Sequence, residues 1–109
     1  MTSVKITATT IGQVNSGKYI TINGDSRISL NELATELNKL RQTMKVNAVE
    51  PEHDIAVSEI AKAEQAAKNN DTSKVNDYLK SAGSWALGIA KEIGVPIAAE
   101  AIKNALSIS

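Results

Sequence analysis

The chain of 109 residues contains no cysteine. That excludes disulfides, thiolate catalysis and a cysteine-based zinc site, and it fits a reducing compartment. Phenylalanine is also absent, and the aromatics reduce to Trp85, Tyr19 and Tyr78. Hydrophobic residues make up 42% of the chain, near the globular norm, so alanine, isoleucine, leucine and valine must build its core. Such small aliphatic side chains let helices approach closely. There is no excess of either charge: 12 basic residues balance 12 acidic ones. Without a positive field to drive counterion release, and with no run of Lys or Arg, no nucleic-acid partner is expected.

No uninterrupted apolar run reaches the roughly 18 residues that a membrane span needs. The opening MTSVKITATT has no apolar stretch of signal-peptide length, so a cytoplasmic location is expected. Under that expectation the Asn70-Asp71-Thr72 sequon carries no glycan.

What is present points to a mainly α fold. A β-hairpin or short β segment at the N-terminus precedes a four-helix, bundle-like array. Residues 1–27 are the expected β-forming segment and residues 28–109 the helical domain. In residues 3–23, Val4, Ile6 and Ala8 alternate with polar residues, and so do Ile20 and Ile22. The alternation slips between Ala8 and Ile11, which predicts a bulge near Thr9-Thr10. Asn15-Ser16-Gly17-Lys18 reads as a turn, and Asn23-Gly24-Asp25 closes the segment. A lone two-stranded hairpin is marginal in water, so this segment must pack on the helices or pair with other chains.

Helices are predicted at about 29–45, 51–69, 72–93 and 96–106. Ser29 and Glu32 form a capping-box pattern, with Ile28 and Leu33 placed for a hydrophobic staple. Leu30, Leu33, Leu37, Leu40 and Met44 then follow at spacings of three and four, an a/d seam of about two heptads. That length suits one face of an intramolecular bundle, with pairing between chains as the other use. Pro51 opens the second helix among Glu50, Glu52 and Asp54, which suit the positive end of its dipole. Its apolar side is Ala56, Ile60, Ala63 and Ala67, widened by Ile55 and Val57.

The third helix starts at a cap drawn from Asp71, Thr72 or Ser73. Its stripe is Val75, Tyr78/Leu79, Ala82, Ala86, Ile89 and Ile93. Gly83 and Gly88 inside it are expected to lie under a tightly packed neighbour. Gly94 and Pro96 stop it and restart a fourth helix bearing Ile97, Ala98, Ala101, Ile102 and Ala105.

No catalytic constellation emerges, and neither an enzyme activity nor a cofactor is expected. Gly12 to Tyr19 follows the phosphate-loop pattern GxxxxGK[ST] until Tyr19 replaces the hydroxyl residue. The motif also needs a helix after it, and β patterning follows instead. His53 lies among Glu50, Glu52 and Asp54, but neighbouring helical positions point apart and do not converge on a metal. Tyr78 and Trp85, seven residues apart, read as core anchors with polar tips at the rim, or as exposed anchors for a partner.

From about Leu30 onward the chain resembles a group of small bacterial proteins and C-terminal tails that accompany conflict or defence proteins. The resemblance is carried by the leucine helix, by VSEIAKAEQAAKNNDTSKVNDYLKSAG and by SWALGIAKEIGVPIAAEAIKNAL. The Gly/Asn-punctuated IGQVNSGKYITING precedes them. It implies a non-enzymatic helical module that works through partners or self-association, and it transfers no catalytic residue. The β stretch is similar to short amyloid-signalling motifs of immune effectors, which stack as cross-β, although Lys5 and Lys18 would then stack as like charges.

The expected function is therefore a protein-interaction or oligomerisation module of a bacterial or phage defence system. Its partner is a second copy, another protein, or both. The candidate contact residues are Ile6, Ile11, Tyr19, Ile20, Ile22, Leu30, Leu33, Leu37, Leu40, Met44, Tyr78 and Trp85. The alternatives are a membrane-acting effector using the third and fourth helices, and a cross-β signalling tag on a helical domain.

Overall fold

The computed structural model describes residues 19–22 and 26–107. Two short strands, β1 (Tyr19–Ile22) and β2 (Ser26–Ser29), precede four helices. These are α1 (Leu30–Asn47), α2 (Pro51–Lys68), α3 (Thr72–Ile93) and α4 (Pro96–Ser107). The expected mainly α fold, a short β segment followed by a helical bundle-like array, is the fold observed.

The strands pair antiparallel with Ile20 opposite Ile28 and Thr21 opposite Arg27. The partner of the Tyr19–Ile22 strand among the described residues is thus the stretch just before α1. The expected earlier strand, from Val4 to Ala8, lies outside the described residues, as do the bulge near Thr9-Thr10 and the turn at Asn15–Lys18. The sequence analysis did not single out Ser26–Ser29 as a strand. It is short and polar, and it runs straight into the helix it caps.

Ser29 ends β2 and caps α1, its hydroxyl lying 3.5 Å from the Glu32 amide, a long contact. Ile28 packs on the core that holds the fully buried Leu33, as the staple requires. α2 begins at Pro51 and ends in a Schellman turn. Asn70 takes φ 60°, Asp71 N–H reaches the Ala66 carbonyl at 2.9 Å and Asn70 N–H reaches Ala67 at 3.1 Å. Asp71 then caps α3, accepting from the Lys74 amide at 3.2 Å. α3 stops at Gly94 (φ 73°), where the amides of Gly94 and Val95 both reach the Ala90 carbonyl.

Consecutive helices are the main neighbours, and α1 also touches α3 and α4. α2 and α3 run antiparallel, because His53 meets Trp85 while Lys62 meets Tyr78. The core centres on Leu30, Leu33, Leu37, Leu40 and Met44, all fully buried. Around them lie Ile60, Val75, Leu79 and Ile102 with a lining of alanines from α2, α3 and α4. The leucine seam is consumed by the chain's own packing. α2 contributes Ala56, Ile60, Ala63, Ala66 and Ala67, so small residues bring it close to its neighbours.

Three sequence expectations need correction. Ile55 does not widen the buried face of α2; it stands 60% exposed, because the buried stripe follows Ala56, Ile60 and Ala63. Neither Gly83 nor Gly88 sits under a tight neighbour, since a Cβ at either would meet nothing within 4 Å. Gly83 serves the backbone instead. Its φ of 82° and ψ of −172° interrupt the helical path of α3 in a region essentially reserved for glycine.

Candidate functional site

The leucine seam, the foremost contact candidate in the sequence, is not a surface. Leu30, Leu33, Leu37, Leu40 and Met44 have no exposure at all, because α1 is enclosed by the other three helices. Tyr19, Ile20 and Ile22 lie on β1. Ile6 and Ile11 lie outside the described residues. Tyr78 and Trp85 are half-buried and pack against the core edge along the α2–α3 border.

The exposed large hydrophobic residues gather at one place. Val46, Val49 and Ile55 are 84%, 83% and 60% exposed. All three belong to the corner where α1 hands over to α2. Val49 is tied to that corner through His53. The imidazole Nδ1 accepts from the Val49 amide at 3.1 Å and from the Glu50 amide at 3.3 Å. His53 is thus the side chain that closes the start of α2, in the position a capping-box glutamate would take. This is its role in the fold; among the described residues no three His, Asp or Glu side chains converge as a metal cluster would.

The same imidazole stacks on Trp85 of α3, with ring centroids 4.0 Å apart and planes 12° from parallel. Stacking holds the indole against α2 while leaving it half-exposed. Beside the stack lies an open groove of about 350 Å³, lined by Glu52, His53, Ile55, Ala56, Ser81, Ala82, Ser84 and Trp85. The break at Gly83 falls in the middle of its α3 wall.

A buried carboxylate lies elsewhere, between α1 and α2. Glu64 is only 5% exposed. It accepts from Asn38 at 3.0 Å and from Arg41 at 2.9 Å, and pairs with Lys68 at 3.2 Å. Burial pushes the Glu64 carboxyl up, but the hydrogen bonds from Asn38, Arg41 and Lys68, with the Arg41 charge, together hold it below its ordinary value of 4.5. Such a carboxylate stays ionised and fully engaged, so it locks helix register more readily than it performs proton transfer.

A second carboxylate acts on a helix end. Glu36 of α1 accepts the Ala98 amide at 2.9 Å. Val95, the residue before α4, has no side-chain acceptor, so the cap is delivered from another helix.

Sequence reasoning missed the hydrophobic corner, although Val46 and Val49 fall outside every helical stripe and were legible as unclaimed. It also missed Glu64 and Glu36, whose partners are 26 and 62 residues away. No local pattern signals such distant partners.

The fold and its exposed features define a helical bundle-like domain with one aromatic-edged apolar corner. No helix among the described residues is long and apolar enough to cross a membrane. Comparison with protein-family models, with curated proteins and with solved structures finds no match to the chain.

Proposed function

We propose that the chain is a non-enzymatic protein-interaction module whose contact surface is the α1–α2 corner. The observation that carries this reading is the concentration of exposed apolar side chains there. Val49 and Ile55 stand beside a half-buried tryptophan, whereas the rest of the large aliphatic residues are used inside. Contiguous apolar surface beside an aromatic is the usual composition of a protein contact.

The seam is spent on the core, so self-association, if this is the contact made, runs through the corner. A cytoplasmic site of action and a defence-system role belong to this reading as proposals, the latter resting on the sequence resemblance alone. The membrane alternative requires the bundle to open, since the apolar stripes of α3 and α4 are buried.

The test is the mass of the chain in an extract of the cells that produce it, read by size exclusion. The wild-type chain is expected to elute well above its own 11.6 kDa. Ile55→Asp, with an unchanged circular dichroism spectrum, is expected to elute near that mass. Elution of the wild type as a bare monomer, or identical elution of the variant and a larger wild type, would contradict the proposal.

A further inference from the structure

The corner carries charge as well as apolar surface, and the two together specify a partner. Glu50, Glu52 and Asp54 crowd the first turn of α2, all exposed, and Glu52 lines the groove itself. Among the described residues none of the three takes part in an ion pair. The helix dipole favours carboxylates at this end but does not neutralise them.

The other charged residues around the groove leave the balance negative. On α3, Asp77 and Lys80 precede the lining residues Ser81 and Ser84, and they offset each other. At the end of α1, Lys45 opposes one carboxylate. Two unneutralised negative charges therefore border an apolar floor made by the buried Ala56 and Ala82, with Ile55 and the His53–Trp85 stack as walls. A second copy seated face to face would bring acidic rim against acidic rim, which disfavours that occupant.

We infer that the groove takes a basic segment of another protein, an apolar anchor side chain flanked by Lys or Arg. The anchor lies against Trp85 and Ile55, while the flanking cations meet Glu52, Glu50 and Asp54. This rests on the interaction-module reading and adds the chemistry of the partner to it. The arrangement assigns affinity to the apolar contact and selectivity to the carboxylates.

Trp85 is the chain's sole tryptophan and lies in the groove wall, so its emission reports occupancy directly. The probes are two peptides of equal length, one alternating lysine with leucine and one alternating glutamate with leucine. The lysine–leucine peptide is expected to shift Trp85 emission saturably, and the glutamate–leucine peptide to leave it unchanged. Raising NaCl from about 0.05 to about 0.5 M is expected to weaken the lysine peptide about tenfold, because exposed charges are screened. Glu52→Gln combined with Asp54→Asn, which preserves side-chain shape, is expected to weaken it by a similar factor.

Equal affinity for both peptides, unchanged affinity in the double variant, or no emission change with either would overturn the inference. So would an emission shift on concentrating the chain alone that Ile55→Asp removes, since that identifies a second copy. The charge dependence can fail while the high-mass species of the size-exclusion test persists; the partner's chemistry is then wrong and the interaction reading stands. A bare monomer in the extract removes the interaction reading itself.

Discussion

Two glycines in one helix behave as opposites, because the backbone asks different things of them. Gly83 holds φ 82° and ψ −172°, whereas Gly88 lies in the helical run with open space where a Cβ would go. Gly83→Ala is expected to destabilise the chain by about 1–3 kcal/mol, the cost of forcing a side chain into that region. Gly88→Ala is expected to stabilise it by about 0.5–1 kcal/mol through helix propensity and a less disordered unfolded chain. Chemical denaturation of the two variants checks both signs. The sequence showed that two glycines interrupt a helical stripe, but not which one breaks the path, since backbone angle leaves no mark in residue identity.

Glu64 gives the chain an acid-sensitive contact. Its folded carboxyl is more acidic than the unfolded one, so the folded state binds fewer protons. The stability it supplies is complete above the ordinary value of 4.5 and is lost as pH falls below that through the folded value. Glu64→Gln is expected to cost about 1–3 kcal/mol near neutrality, since Arg41 and Lys68 lose their counter-charge in a half-covered site. It is also expected to flatten the decline of stability below pH 4.5. Thermal melts of wild type and variant across that range measure it, and parallel acid declines would contradict the assignment.

At the scale of elements, α4 depends on α1 for its start. The Glu36 carboxylate takes the Ala98 amide that Val95 cannot satisfy. Glu36→Ala is expected to lower stability by about 1 kcal/mol, with Glu36→Gln losing less because its amide oxygen still accepts. Amide exchange should quicken first in α4, which is the readout that separates a lost cap from a general loosening.

The helices themselves were legible. Ser29, Pro51, Asp71, Gly94 and Pro96 mark boundaries by local chemistry, and the observed ends fall close to those marks. The β2 strand was hidden for the same reason in reverse, because Ser26-Arg27-Ile28-Ser29 offers one apolar residue and then becomes a cap.

For the whole molecule, the distribution of apolar residues between inside and outside carries the argument. The three-four spacing of Leu30 to Met44 allowed two uses, and burial selects the core. The corner was not legible as a site, because Val46, Val49 and Ile55 follow no period and become neighbours of Trp85 only when α2 folds back along α3. His53 was read correctly as an unfit metal ligand by helical geometry, but its two amide bonds and its stack require the folded corner.

Photo-crosslinking tests the central claim, that the corner is the contact surface, most directly. A benzophenone side chain is placed singly at Val49, at Ile55, and at the exposed Lys39 and Lys103 away from the corner. Adducts are then scored in the producing cells. The account expects adducts from Val49 and Ile55 and few from the two lysine positions. Equal yields at all four positions, or a maximum at Lys39 or Lys103, would contradict it.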